Sequence, residues 1–373
     1  MTMDIASYLK EYGGYEVFVY ASRISEAQLN DEMLSNFTLR KIPTQLISHS
    51  RTKQIERYIL EDEIDILVQP GKAIPGIEKI KERTCVKTIV ACHGEPFWQR
   101  HVIMHRRQKG FFRKLMWHLF NRRRFEDGTL AMRMAISRTR RDYETSDAYT
   151  VLCRSYIQET LSVLGLDEAS SHIYAIENSE RRVAEVNYNK ENIILFVGRF
   201  ENWSKRIDRL LRIWHSVQDR MSEWKLVLVG DGTDWHRMRN LAKAMHLQRV
   251  HFEGRQNNVA EYYQKASGVV LTSETEGWPL ALTEAQAQGC VCVAFDCTSG
   301  IKDVLSLNGE CGFIVPAFDE QKFAETLLKI VAMIDSEMLC IRKNAVAKRL
   351  EYVPEVISEK WRLLFDKLYE DKR

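Results

Sequence analysis

Apolar residues along this chain gather in short runs separated by polar, periodic stretches, and that alternation sets the expected architecture. Runs bounded by charged or turn residues read as buried strands. In the first half they are Glu16 to Tyr20, Thr38 to Ile42, Asp65 to Val68, Lys87 to Ala91, Ala148 to Leu152 and Ile173 to Ile176. In the second half they are Ile193 to Val197, Leu226 to Val229, Val250 to Phe252, Val269 to Leu271, Val291 to Phe295 and Phe313 to Val315. Helical periodicity lies between them, most clearly at Ile207, Leu210, Leu211, Trp214 and Val217, which share one helix face. Strands alternating with helices predict an α/β protein with parallel sheets and helical crossovers. The polar run from Asn178 to Asn192 breaks the alternation and reads as a linker. The expected organisation is therefore an N-terminal domain over 1–184, a C-terminal domain over 185–355, and a last segment, 356–373, holding the helix Val356 to Leu368. No internal repeat or low-complexity segment interrupts this pattern.

Composition agrees with two domains, since 373 residues at 45% apolar content exceed one typical core. No apolar run reaches the length of a membrane span, and the N-terminus lacks a basic-then-apolar leader, so a cytoplasmic protein is expected. The eight cysteines show no zinc-type spacing and read as reduced core thiols. The net charge of +3 conceals an uneven distribution. Between Arg100 and Arg141 thirteen Lys or Arg stand against Glu126 and Asp127, a local +11, which leaves −8 for the rest. Phe111, Phe112, Leu115, Met116, Trp117, Leu119 and Phe120 are interleaved with that charge, the makeup of an interfacial helix on anionic lipid. A solvated face or a groove for an acceptor phosphate fits the same residues. No recognised nucleic-acid motif accompanies the charge, so no nucleic-acid partner is expected.

The densest candidate chemistry is the stretch from Ser273 to Ala285, which sets Glu276 and Glu284 eight residues apart. The apolar run Gly268 to Thr272 leads into it, Gly277 suits a turn, and Pro279 suits the first position of a helix. Glu276 then lies on the turn and Glu284 about 7 to 8 Å further along the helix axis, so one acid cannot serve both positions. Unpaired amides at a helix start favour an anion, and a diphosphate resting there would place a hydroxylated ring near each carboxylate. An acidic first turn with a solvated glutamate is the plainer reading of the same residues. Leu195 to Phe200 is a strand running into a turn, and Arg199 and Lys205 flank its carboxyl end, where ligands bind in open α/β sheets. Fixed guanidinium and ammonium groups there can neutralise a diphosphate without a metal, although either cation alone is more simply a solvated surface residue.

With Gly198-Arg199 and Lys205, the strand and turn Leu226 to Gly232, Val250 to Arg255, the Glu276 to Glu284 pair, and Gly309 to Val315, nearly the whole chain resembles the retaining nucleotide-sugar glycosyltransferases of family 4. The resemblance implies the GT-B fold, two Rossmann-like doubly wound domains facing a cleft, with the last helix crossing back to the first domain. It further implies that Arg199 and Lys205 hold the donor diphosphate and stabilise the departing nucleotide. Glu276 would contact donor-sugar hydroxyls, with the backbone of Gly277, Trp278 and Leu280 nearby, and Gly198 would belong to the substrate-binding set. Glu284 would accept from the ribose, and Gly254-Arg255 would lie beside the base. Pro279 has no amide hydrogen to offer. His93, after the strand Lys87 to Ala91, matches by position a histidine that contacts the donor sugar in such enzymes; a lone histidine is otherwise more often a packed or capping residue. Glu95 is a weaker candidate in the same loop. No metal and no cofactor are implied beyond the donor substrate, UDP-linked hexose or N-acetylhexosamine first and GDP-mannose second, with a glycan or polyprenyl-linked acceptor in surface polysaccharide synthesis.

The start departs from that pattern. Met1 to Leu9 already reads as the first helix, so the first strand and its glycine-rich turn are expected to be absent from this sequence. Two other functions therefore stand beside transfer: a non-catalytic nucleotide-sugar-binding protein, and a GT-B epimerase acting on the nucleotide sugar, against which the two-glutamate signature speaks.

Overall fold

A computed structural model describes residues 2–22, 37–44, 48–99, 129–180, 183 and 185–370. Packing divides the chain into two units, one of Met1–Ser179 with Pro354–Arg373 and the other of Glu180–Val353.

In the first unit, helix α1 (Thr2–Gly13) precedes strands β1 (Phe18–Ala21) and β2 (Thr38–Lys41), which pair in parallel. There follow α2 (Ser48–Glu61), β3 (Ile66–Pro70), α3 (Ile77–Thr84), β4 (Lys87–Ala91), α4 (Thr129–Glu144), β5 (Ala148–Val151), α5 (Arg154–Leu164) and β6 (Ile173–Ala175). Strands β3 to β6 form a parallel sheet in sequential order. Ile89, Val90, Ala148 and Val151 are buried at its centre, with Thr88 and Thr150 buried on the same strands. The C-terminal helix, Pro354–Glu370, buries Ile357, Trp361, Leu364, Phe365 and Leu368 at helical spacing and packs against α1, with the Tyr15 ring edge-on to Phe365 at 5.2 Å.

The second unit supplies β7 (Glu191–Val197), α6 (Asn202–Lys205), α7 (Ile207–Val217), β8 (Lys225–Val229), α8 (Trp235–Ala244), β9 (Val250–Gly254), α9 (Ala260–Lys265), β10 (Ala266–Leu271), α10 (Leu280–Ala287), β11 (Val291–Phe295), α11 (Ser299–Leu305), β12 (Phe313–Val315), α12 (Glu320–Val331) and α13 (Asp335–Arg349). Its six strands are all parallel in the order β9-β8-β7-β10-β11-β12. That is the doubly wound order, in which the direction of winding reverses between β7 and β10. Strands β10 and β11 are buried along their whole length, as strands covered on both faces must be.

Two expectations need correction. Of the cysteines read as core thiols, Cys92, Cys153, Cys290, Cys292 and Cys311 are buried and Cys297 is half-buried, but Cys85 and Cys340 are exposed. Cys85 closes α3 in a left-handed conformation at φ 54°, a place set by the turn and not by packing. The helix expected to begin at Pro279 begins one residue later: Pro279 (φ −78°, ψ 79°) forms a tight turn in which Leu280 N–H donates to Trp278 O at 2.9 Å. Among the described residues no helix is long and apolar enough to cross a membrane. Most of the basic stretch, 100–128 with its interleaved aromatics, lies outside the described residues; its remainder belongs to α4.

Candidate active site

The carboxyl ends of β7 and β10, on either side of the reversal in strand order, bring the predicted cation and carboxylate together. Lys205 ends α6, and Glu276 lies in the loop after β10. The Lys205 ammonium donates to both carboxylate oxygens of Glu276, at 2.7 and 3.0 Å. The Lys205 side chain is 20% exposed and that of Glu276 only 7%, so this pair is far more shielded than a surface ion pair. Ser273, itself buried, donates its hydroxyl to the same Glu276 oxygen at 2.5 Å, and Thr298 Oγ1 donates to the Glu276 backbone carbonyl at 2.9 Å.

The two loops are joined by backbone as well. Glu274 N–H donates to Ser204 O at 2.7 Å, and Thr272 Oγ1 to Arg206 O at 3.1 Å. Arg206 takes a left-handed conformation, φ 46°, between α6 and α7, which is uncommon for a long side chain. Its guanidinium is tied on two sides, to Asp208 at 3.0 and 3.1 Å and to Glu274 at 3.0 Å, and Arg209 reaches Glu274 at 2.8 Å. The Asp208 carboxyl, though half-buried, is held down to about 2 by Arg206 and Arg212, which outweigh its desolvation. This clasp fixes the turn from which Lys205 projects.

Gly198 and Arg199 follow β7. Gly198 N–H donates to Val229 O at 3.0 Å, and Gly230 N–H to Gly254 O at 2.8 Å, which stitches the ends of β7, β8 and β9 together. Gly230 has φ 134°, and a Cβ there would stand 1.9 Å from Gly198 O, so only glycine permits this approach. The Arg199 side chain is 73% exposed, with an ion pair to Glu201 at 3.1 Å. Gly254 closes β9 at φ 72°, and Arg255 beyond it is exposed.

Glu284 sits on α10 and accepts a hydrogen bond from the buried Tyr263 hydroxyl at 2.8 Å. Burial raises its carboxyl above the usual glutamate range, and the Tyr263 bond opposes that shift. Gly277 and Trp278 follow Glu276, but the Trp278 indole belongs to the core: it is 5% exposed and packs edge-on against Tyr352 at 5.2 Å. The Leu280 amide is engaged by Trp278 O, as above. His93 follows β4 at the carboxyl edge of the first unit's sheet, with Glu95 buried two residues on. Burial lowers its imidazole below the ordinary value while a hydrogen bond with Asn178 pulls the other way. His93 Nδ1 is buried without a hydrogen-bond partner among the described residues.

Sequence reasoning missed Ser273, Thr298, Tyr263 and the Arg206–Glu274–Arg209 clasp. Ser273 left a trace, a hydroxyl three residues before Glu276 within the same stretch. Among the described residues no cluster of three or more His, Cys, Asp or Glu is placed to hold a metal ion.

Residues 177–345 match the family described as Glycosyl transferases group 1. The match falls almost wholly within the second unit. The amylovoran biosynthesis glycosyltransferase AmsD of Erwinia amylovora is 33% identical over 190 residues, 50% of this chain and 51% of that protein. The GalNAc-alpha-(1->4)-GalNAc-alpha-(1->3)-diNAcBac-PP-undecaprenol alpha-1,4-N-acetyl-D-galactosaminyltransferase of Campylobacter jejuni is 27% identical over 175 residues, 47% of this chain and 48% of that protein. The chain thus spans about half the length of the curated relatives it matches. A solved structure, Anabaena Alr3699/HepE in complex with UDP and glucose, superposes with a TM-score of 0.72 over 98% of this chain and 95% of that one, at 13% identity. The fold is GT-B, and Lys205 and Glu276 both lie within the residues that match the family.

Proposed function

We propose that the protein is a retaining, metal-independent glycosyltransferase that moves a hexose or N-acetylhexosamine from a nucleoside diphosphate sugar, UDP-linked in the first instance, to a glycan or polyprenyl-linked acceptor in bacterial surface polysaccharide synthesis. One observation carries this reading: a shielded lysine and glutamate meet at the carboxyl ends of the strands flanking the switch point, the place where open α/β sheets bind nucleotides. The relatives support it, since the Erwinia protein is named for polysaccharide biosynthesis and the Campylobacter protein for an undecaprenol-linked acceptor.

In this reading Lys205 and Arg199 neutralise the diphosphate, Glu276 accepts from sugar hydroxyls, Glu284 accepts from the ribose, and Gly254-Arg255 borders the base. The acceptor oxygen forms its bond to the anomeric carbon on the face from which the diphosphate oxygen departs. The anomeric configuration is kept, and the acceptor proton passes to the departing diphosphate. Two protein cations already offset the leaving-group charge, so a divalent ion is not required. The basic stretch 100–141 would bring the enzyme to anionic lipid at the cytoplasmic face; co-sedimentation with anionic but not neutral vesicles is the expected result, and equal binding or none removes that part of the proposal.

The test is nucleotide release from a panel of nucleotide sugars with and without lipid-linked and glycan acceptors. Acceptor-dependent release that persists in EDTA, with product NMR showing the donor's anomeric configuration, is expected. Binding without turnover across the panel would leave a nucleotide-sugar-binding protein instead.

A further inference from the structure

The geometry sets a competition inside the proposed donor site. Lys205, the cation assigned to the diphosphate, is already engaged by Glu276, the carboxylate assigned to the sugar, through two hydrogen bonds in a shielded place. A ligand can take Lys205 only by leaving a mostly buried carboxylate without its cation, which is costly unless other donors replace it. A nucleotide sugar brings those donors, because its hydroxyls reach Glu276 as its phosphates reach Lys205. A nucleoside diphosphate without the sugar brings none, and the loss of the cation is then offset only by groups of the protein such as the Ser273 hydroxyl.

We infer that the Lys205–Glu276 pair makes the site discriminate between the loaded donor and the spent nucleotide, and that Ser273 is the positioning residue that sets how strongly Glu276 reclaims the lysine. The inference rests on the donor-site reading above. Loss of the sugar removes the hydroxyl donors, Glu276 draws Lys205 back, and the nucleoside diphosphate is released. No covalent step is involved; the device is an exchange of hydrogen-bond partners, with each ligand shifting the equilibrium by its differential contacts.

The two side chains predict effects of opposite sign. Glu276→Gln removes the competing charge, so Lys205 turns to phosphate, and binding of a free nucleoside diphosphate tightens by about tenfold, the scale of one charge-assisted hydrogen bond. The same variant weakens nucleotide-sugar binding and slows transfer. Ser273→Ala removes one donor from the carboxylate when it needs compensation most, so nucleoside diphosphate binding weakens by several-fold, about one ordinary hydrogen bond. A residue needed only for folding would not change the preference between the two ligands.

The experiment is calorimetric titration of the full chain, wild type and both variants, with UDP, GDP, UDP-glucose and UDP-N-acetylglucosamine. Tighter nucleoside diphosphate binding by Glu276→Gln together with weaker binding by Ser273→Ala supports the inference. Unchanged or weaker binding by Glu276→Gln overturns it while the donor-site reading stands. If Glu276→Gln does not fold, Ser273→Ala decides alone, and unchanged or tighter binding overturns the inference. A wild type that binds none of the four ligands removes the donor-site reading and the inference with it.

Discussion

Replacing Lys205 with methionine keeps the length of the side chain and removes its charge, which isolates what the ammonium does for Glu276. The variant leaves a carboxylate 7% exposed with the Ser273 hydroxyl but without its cation. Removing one partner of a shielded pair costs about 3–5 kcal/mol. For a unit of this size about 2–4 °C accompanies each kcal/mol, so the second unit should melt about 6 to 20 °C lower. Differential scanning calorimetry reads this directly, and the Lys205→Met/Glu276→Gln double variant should recover most of the loss. A single variant as stable as wild type, or a double variant as unstable as the single, would refute the claim that the pair is electrostatically coupled.

Arg199 should separate binding from stability. Its side chain is 73% exposed, so Arg199→Ala is expected to leave stability within about 0.5 kcal/mol while weakening nucleoside diphosphate binding about tenfold; equal affinity in calorimetry would remove Arg199 from the site. For Glu284, desolvation makes the charged form unfavourable in the folded state, a penalty that appears only as pH rises above the ordinary glutamate range, so Glu284→Gln should melt no lower than wild type at pH 7 yet bind nucleotide about tenfold weaker, and a variant that melts lower with binding intact would give Glu284 a structural role. Burial keeps His93 neutral, so the unfolded chain takes up a proton that the folded chain resists as pH falls below about 6.5. Wild type should lose stability in that window more steeply than His93→Asn, and parallel melting curves would show that His93 does not carry the effect.

The second unit's sheet was open to reading because buried parallel strands carry uninterrupted apolar runs: Val291 to Phe295 and Phe313 to Val315 are strands with the bounds expected from sequence. The amphipathic helix from Ile207 to Val217 was equally plain, since its apolar positions pack on one side. Other features have no periodic signature. Nothing in the sequence spacing shows that Lys205 and Glu276, 71 residues apart, share two hydrogen bonds. The left-handed turn at Arg206 was hidden because long side chains seldom mark such turns, and its support comes from Asp208 and Glu274 in three dimensions. Trp278 was read for its backbone, yet its ring fills core against Tyr352, a partner from the far end of the unit. Nothing in the polar run from Asn178 to Asn192 marks Lys190, whose ammonium donates to the Tyr263, Gln264 and Gln288 carbonyls, closing two helix ends at once.

In the proposed reaction Lys205 and Arg199 receive the donor's diphosphate while Glu276 turns to its sugar. A crystal structure of the protein with a bound nucleotide sugar tests it most directly. Diphosphate oxygens within about 3 Å of Lys205 Nζ, sugar hydroxyls on Glu276 and a broken Lys205–Glu276 contact are expected. A nucleotide sugar bound with its phosphates away from both cations and the ion pair still closed would contradict it.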